Sequence, residues 1–346
     1  MRLNITRRIA LIVLLLLAIT IPAAAIDDDP LVSESYLKES YTLDFLAEVR
    51  RVINASMQPI YAKRIKKMRA YGGTIFVRTG GSFVLTEGQA SANVCLGAVV
   101  DATLGGELTH RAELKSGRLY IAAEDTLVAI MVPDDASIVV DGDYAKPDYD
   151  SATFSDVGTA HWAFEYVEAM SALSLVNGRG GDVFDPDANM TRGEFVTVLG
   201  RLCRADIAGD ADSVGFADVD ATMYYAPYIN WAVSEGLING FDDGLVHPND
   251  RITRAQMAVL IVRFAESVGI DLSADDTEND AVLTDESEIP DWASEGVAEA
   301  LSAGLVRGRD DGRFDPNGDS RRSEVCTVLY RLITRGLEAS SSSSES

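Results

Sequence analysis

Three arginines at matching positions are the residues of this sequence with the clearest potential for chemistry. Each lies in the first turn of a predicted helix and follows a proline at a similar distance; they are Arg192, Arg254 and Arg322. A helix N-terminus carries partial positive charge, so an arginine there is unfavourable unless a negative group is close. The planar guanidinium group suits a carboxylate or a phosphate. We therefore expect either a bound anion or an internal ion pair, whose candidate partners are Asp156, Asp218 and Asp285.

The residues beside these arginines define where each helix begins. Thr191 and Glu194 have the spacing of a capping box, and Thr253 and Gln256 repeat it. In the third copy Arg321 replaces the threonine, so the cap is predicted to be lost there. The third repeat is therefore expected to bind an anion least well, or only to complete the fold.

Each of these helices carries a wide apolar stripe. Counted from the arginine, positions +3, +4, +6, +7, +10 and +11 are apolar in all three copies. One helix cannot bury such a stripe alone, so three copies, each with a preceding helix, are predicted to pack around a pseudo-threefold axis. Cys203 and Cys326 lie on the stripe and are predicted to be buried thiols. A structural role is expected for the arginines at position +9, which are Arg201, Arg263 and Arg331.

The first half of the chain has different residue patterns from the repeats. Residues 1–25 combine a basic start, an apolar run and a small-residue cleavage pattern, which predicts a signal peptide and a secreted protein. Residues 26–71 contain the periodicity of an amphipathic helix. Short apolar runs separated by Gly and Asp turns predict a small antiparallel β domain over 72–145, followed by a linker over 146–153. The serine-rich tail, 336–346, is predicted to be disordered.

Composition narrows the function classes. The net charge of −24 argues against a nucleic-acid partner, which would need a basic surface. Three widely spaced cysteines indicate neither a disulfide framework nor a metal site. His110 and Glu113 form no recognisable catalytic constellation, and the Asp-rich turns lack the ligand spacing of a calcium loop. We therefore expect no catalytic residues, no metal and no cofactor.

The order of motifs in residues 154–335 resembles three consecutive S-layer homology (SLH) domains. The motifs are Phe-x-Asp-Val, Trp-Ala, Gly with a following Phe-x-Pro, Thr-Arg-x-Glu and Leu-x-Arg, and the copies span 154–206, 207–268 and 269–335. The resemblance implies an all-α, pseudo-threefold module that binds an anionic, pyruvylated secondary cell wall polymer. With the N-terminal helix and the small β domain, the fold class is α+β overall.

The resemblance also implies which residues would hold the polymer. They are an arginine at the helix start, an aspartate before the first helix, an aromatic residue lining the groove and a glycine that lets the ligand approach the backbone. At the matching positions stand Arg192, Arg254, Arg322, Asp156, Asp218, Trp162, Tyr224, Trp292, Gly178, Gly240 and Gly308.

The expected function is non-catalytic anchoring of a cell-surface protein to the bacterial wall or S-layer. An alternative is a wall-displayed enzyme with its activity in residues 33–145. A third hypothesis is that residues 33–145 assemble with other copies in a surface layer. The sequence does not choose between simple anchoring and self-assembly.

Overall fold

The computed structural model describes residues 68–70, 72–108, 110–207, 216–273, 283–335 and 337. All of them belong to one compact unit, Ile65–Ser346. The predicted signal peptide, nearly all of the predicted helical segment and all but one residue of the predicted disordered tail lie outside the described residues. The exception in the tail, Leu337, is buried in the helical core, so the disorder predicted for 336–346 does not hold at this residue. The mixed α+β class is confirmed, whereas the predicted domain limits stay predictions. None of the helices in the described ranges has the length and apolar character needed to cross a bilayer.

In the described residues, ten short strands form the β domain. They are β1 (Met68–Ala70), β2 (Thr74–Arg78), β3 (Ser82–Glu87), β4 (Ser91–Leu96), β5 (Val99–Asp101), β6 (Ala112–Glu113), β7 (Leu119–Ala122), β8 (Leu127–Met131), β9 (Ser137–Asp141) and β10 (Tyr144–Ala145). They pair antiparallel in two five-stranded sheets, ordered β1-β9-β3-β7-β5 and β10-β2-β8-β4-β6. Both sheets contribute side chains to a common apolar core that includes Ile75, Phe83 and Ile138.

The first strand corrects one prediction. Met68–Ala70 falls within the segment predicted to be helical, yet it pairs with β9, with Met68 opposite Val140 and Ala70 opposite Ile138. Pairing with a sheet edge satisfies backbone groups in a way that local periodicity does not reveal.

The described part of the repeat module contains six α-helices, two in each repeat, and one 3-10 helix, Glu286–Glu288. The α-helices are α1 (Phe164–Ala172), α2 (Arg192–Leu202), α3 (Ala226–Ser234), α4 (Arg254–Ser267), α5 (Asp291–Ser302) and α6 (Arg322–Thr334). The first helix of each repeat packs on the second helix of the repeat before it: α3 on α2, α5 on α4, and α1 on α6. The predicted stripe is buried throughout except at Cys203, which is partly exposed. The packing therefore closes on itself, from the third repeat back to the first.

A ring of backbone hydrogen bonds marks the axis of this module. The N–H of Met190 donates to Ser320 O, that of Ser320 to Ile252 O, and that of Ile252 to Met190 O, each at 2.9 Å. All three residues are almost fully buried. One residue from each repeat thus bonds to the next in a closed cycle, and the predicted pseudo-threefold arrangement is confirmed.

The β domain is docked on the repeat module. Arg78 Nη2 donates to Leu173 O at 2.9 Å, and Asn93 Nδ2 donates to Ile333 O at 3.0 Å. Alternate side chains of β2 face different cores, because Phe76 packs with the helices while its neighbours fill the β core. Tyr149, in the predicted linker, also packs against the helical core, so this segment is part of the junction and not a free spacer.

Candidate functional site

The three helix-start arginines join neighbouring repeats. Their exposed fractions are only 5–8%, and each Nε–H donates to a backbone carbonyl of the next repeat. The pairs are Arg192 with Val246 (3.0 Å), Arg254 with Phe314 (2.7 Å) and Arg322 with Phe184 (3.0 Å). Each guanidinium carbon also lies 4.4–5.0 Å from the centre of a phenylalanine ring, that of Phe241, Phe314 or Phe184. Burial lowers the pKa of all three arginines, and nearby carboxylates partly oppose this effect.

The helix N-termini are not open to a ligand as the sequence suggested. The first-turn N–H of Gly193 donates to Pro248 O at 2.8 Å, Ala255 to Pro316 O at 3.1 Å and Ser323 to Pro186 O at 3.1 Å. The preceding N–H groups of the three arginines are bonded to the same loops. The distance between proline and helix start, which recurs in all three repeats, therefore serves inter-repeat capping. An anion at this site would have to be recognised by side chains.

The aspartates before each first helix organise a turn within their own repeat. Asp156 accepts N–H bonds from Phe184 and Asp185 at 2.8 and 2.7 Å, and Asp218 and Asp285 do the same at the equivalent positions. Although burial alone would raise the pKa of Asp156 and Asp285, the N–H donors lower it below the ordinary value. These three aspartates do not accept hydrogen bonds from the helix-start arginines. The acceptors are backbone carbonyls, together with the Glu324 carboxylate in the case of Arg254.

A cavity of ≈380 Å³ brings together predicted site residues from all three repeats. Trp162 comes from the first repeat, Arg254 from the second and Gly308 from the third. The charged residues described in the lining are four arginines and two acidic residues: Arg254, Arg307, Arg309, Arg331, Asp310 and Glu324. The groove lining is therefore net positive, although the chain as a whole is strongly acidic. Trp162 lines this groove and remains 59% exposed.

Arg309 is a groove residue that the sequence did not single out. Its Nη2 lies 2.9 Å from Asp315 and its Nη1 lies 3.6 Å from Glu324, while its Nε is buried without a hydrogen-bond partner. Glu324 also lies 3.5 Å from Arg254. The signal that could have revealed Arg309 is its position directly after Gly308, which is shared by Arg179 after Gly178.

The equivalent residues around Tyr224 have similar chemistry. Tyr224 lies within electrostatic reach of Glu194, Arg201 and Arg179, and burial is the main reason that its pKa is raised. Arg179 lies 3.7 Å from Glu194, matching the Arg309–Glu324 pair. Arg322 approaches from the neighbouring repeat and donates to Asn177 O at 2.7 Å.

The third equivalent position differs. Phe241 stands in place of the second arginine and Gln256 in place of the glutamate, while Trp292 keeps the exposed aromatic at 58%. Phe241 covers the guanidinium of Arg192 instead of providing a charge. The chemical difference between grooves thus centres on second-repeat residues beside Arg192, and not on the altered cap of repeat three.

Two of the three predicted glycines have a packing role. A Cβ on Gly178 would lie 2.9 Å from the Phe154 ring, and one on Gly240 would lie 2.4 Å from the Phe216 ring. A Cβ on Gly308 would make only ordinary van der Waals contacts, at 3.5 Å, and Gly308 lines the groove. Close packing against a phenylalanine ring therefore explains Gly178 and Gly240 but does not explain Gly308.

The remaining predictions concern structural residues. Arg201, Arg263 and Arg331 each donate to a leucine carbonyl of the same repeat, at 3.2, 3.4 and 3.2 Å, so their structural role is confirmed. In the Asp-rich turns, Asp243 and Asp311 accept N–H bonds two residues later. Within the described ranges, no group of three or more His, Cys, Asp or Glu residues is placed to hold a metal ion.

Comparison with known proteins identifies the repeat. The family model of the S-layer homology domain matches residues 153–196, 215–258 and 283–326. The chain is 32% identical over 194 residues to the amylopullulanase of Thermoanaerobacterium thermosulfurigenes, covering 56% of this chain and 10% of the relative. It is 29% identical over 166 residues to the cellulosome-anchoring protein of Acetivibrio thermocellus, covering 47% and 36%.

A third relative is the S-layer protein sap of Bacillus anthracis, 26% identical over 179 residues, with 52% of this chain and 21% of the relative covered. The matches therefore span a tenth to about a third of the length of these relatives. A solved structure of recombinant pro-11S globulin of pumpkin matches 26% of this chain and 23% of its own, with 16% identity and a TM-score of 0.16, too low to indicate a shared fold. The family match and the surface-protein relatives support a cell-wall or S-layer location.

Proposed function

This chain carries three S-layer homology domains, and we propose that they attach it non-covalently to an anionic, pyruvylated secondary polymer of the bacterial cell wall. The proposal rests on the groove that combines Trp162, Arg254 and Gly308 from three repeats. A pyruvyl ketal presents a carboxylate on a sugar ring. An arginine-lined groove beside an exposed indole offers complementary contacts to both parts.

Within the groove, Arg309 is the side chain best placed to meet the carboxylate. Arg254 is buried and holds three groups already, namely Phe314 O, Arg307 O and Glu324. Arg309 is about one-third exposed along its side chain, its Nη groups lie beside Asp315 and Glu324, and its buried Nε–H has no hydrogen-bond partner. We propose that Arg309 and its counterpart Arg179 contact the anion, while the helix-start arginines shape the groove.

Binding to purified cell wall tests this assignment. Trp162→Ala and Arg309→Gln should each weaken binding at least about tenfold, because they remove a stacking surface or a charge-assisted hydrogen bond. Leu104→Ala is a matched control, since Leu104 is 69% exposed in the β domain. Sedimentation with wall, with and without a soluble pyruvylated saccharide as competitor, measures the effect.

Unchanged wall binding of the Trp162→Ala, Arg309→Gln double variant would contradict the groove assignment. Binding that persists after chemical removal of the ketal would contradict the pyruvylated ligand while leaving wall anchoring intact. Arg254→Ala is a poor probe by comparison, because loss of its contacts would disturb the junction of two repeats.

We propose that the chain itself is non-catalytic and has no nucleic-acid partner. The relatives named as enzymes share only a small fraction of their length with it, so their activities do not transfer. Robust turnover of wall glycans by the full chain would overturn this proposal. Whether copies assemble into a surface layer is tested by light scattering of the mature protein, where growth of large particles would support assembly over simple anchoring.

A further inference from the structure

A second cavity lies where the β domain meets the repeat module. Its volume is ≈350 Å³, and it shares no residue with the groove described above. His110, Arg111 and Asp271 are exposed at its mouth. Asn93 and Arg335 are buried at its floor, with exposed fractions of 5% and 8%. A small solute can therefore enter from solvent and reach buried polar groups.

Arg335 has unused hydrogen-bonding capacity at this floor. Its Nη2 donates to Leu272 O at 3.1 Å and also to Ser273 O. Its Nε and Nη1 are buried and have no hydrogen-bond partner. A guanidinium group carries five N–H donors and no acceptor, so the missing partners must be acceptors. Burying a charged group without such partners is unfavourable, which makes this position selective for a negative ligand.

The surrounding charges favour an anion. Burial is the main cause that lowers the pKa of Arg335, the positive charge of Arg111 lowers it further, and Asp271 and Glu299 oppose this. The described residues that line the cavity include two arginines and one aspartate, a positive balance in a chain of net charge −24. Asn93 already donates to Ile333 O and so helps to fix the floor.

Other chemistries fit the cavity less well. Burial raises the pKa of Cys95 to about 12, so this lining thiol stays protonated and is neither a nucleophile nor a ready metal ligand. Among the described residues, the lining contains one histidine and one carboxylate, too few for a metal site.

We propose that this cavity binds a small oxyanion, a carboxylate or phosphate group, with Arg335 at its floor and Arg111 at its mouth. Arg111 belongs to the β domain and Arg335 follows α6 of the repeat module. A bound oxyanion therefore bridges the two parts and stabilises their docking. The proposal does not depend on the wall polymer, because the cavity is separate from the groove.

Thermal unfolding and calorimetric titration of the full chain test this site, using inorganic phosphate and acetate at constant ionic strength. A ligand that binds only the folded state raises the unfolding midpoint in a saturable way. We expect such a rise with at least one of the two anions. The preferred anion distinguishes a phosphoryl ligand from a carboxylate ligand.

Two variants locate the bound anion. Arg111→Gln removes an exposed charge at the mouth and should weaken binding at least about tenfold. Arg335→Gln should weaken it further; if that variant fails to fold, Arg111→Gln still decides the question. Arg251→Gln is the matched control, because Arg251 is an exposed arginine outside the cavity and should leave the affinity unchanged.

Absence of a saturable shift with both anions would overturn the proposal. Equal affinity of Arg111→Gln and the unaltered chain would overturn it as well. Phosphate binding that is lost in Arg309→Gln but kept in Arg111→Gln would assign the anion to the wall-binding groove instead.

Discussion

The helix-start arginines both stabilise the interfaces between repeats and shape the groove; they are Arg192, Arg254 and Arg322. Each guanidinium group satisfies a carbonyl of the next repeat and covers a phenylalanine ring. The unfavourable placement of a cation at a helix start is thus offset by backbone dipoles and an aromatic face. No external anion is needed to explain the three buried arginines.

Asp285 should stabilise the folded protein through the turn that it organises. Asp285→Ala should lower the free energy of unfolding by about 1–3 kcal/mol, because it leaves the N–H groups of Phe314 and Asp315 without their acceptor. Urea denaturation measures the change. Asp310→Ala is the control, since Asp310 is exposed. An equal effect of both substitutions would contradict the specific role of the turn.

The same carboxylate predicts a dependence on pH. The folded-state pKa of Asp285 is lowered by its N–H donors, in spite of its burial. Its stabilisation is therefore complete above the unfolded pKa of about 3.9 and is lost as the pH falls through the lower folded value. The difference in stability between the unaltered chain and Asp285→Ala should be constant near neutrality and shrink below about pH 4. A difference that grows on acidification would have the wrong sign.

At the level of the helix, the N-terminal cap of the second helix differs between the third repeat and the other two repeats. Thr191 and Glu194 form both bonds of a capping box, at 3.2 and 2.9 Å, and Thr253 and Gln256 form both at 3.2 Å. In α6 Glu324 still accepts the N–H of Arg321 at 2.9 Å, but a guanidinium group cannot accept the reciprocal bond. One helix N-terminus is therefore only half capped.

Restoring this cap should stabilise the protein. The backbone angles of Arg321 (φ −83°, ψ 157°) match those of Thr191 (φ −83°, ψ 162°), so a threonine fits without rearrangement. Arg321→Thr should be more stable than Arg321→Ala by about 0.5–2 kcal/mol. Comparison with the alanine variant separates the cap from loss of the exposed Arg321–Asp187 ion pair. Equal unfolding midpoints of the two variants would show that the cap is not formed.

At the scale of the molecule, the β domain and the three repeats share contacts that predict joint unfolding. Phe76 in β2 is fully buried within the cluster formed by the helices. All tryptophans of the chain, Trp162, Trp231 and Trp292, lie in the repeat module. Their fluorescence therefore reports unfolding of the repeats alone.

Phe76→Ala should lower the midpoint seen by tryptophan fluorescence, because loss of the ring destabilises the junction by about 3–5 kcal/mol. Val100→Ala, at a 40% exposed site of the β domain, should leave that midpoint unchanged. A fluorescence transition that is insensitive to Phe76→Ala would mean that the two parts unfold independently.

Much of the local structure follows from the sequence because it depends on short spacings. The apolar stripe, the two capping boxes and the turn-separated strands each use residues that are near one another in the chain. The SLH resemblance and the pseudo-threefold packing follow from the regular recurrence of these patterns. The predicted helical reading of Met68–Ala70 is wrong because its strand partner, Val140, lies far along the chain.

The sequence by itself determined the repeats, their helices and the set of residues from which a wall-binding site could be built. Only the tertiary structure decided which of these residues meet. Trp162, Arg254 and Gly308 line one groove although each belongs to a different repeat, and Arg322 reaches back 145 residues to Asn177. Closure of the helices around an axis sets these contacts. Spacing within a single repeat cannot specify them, because each groove exists only when three repeats pack together.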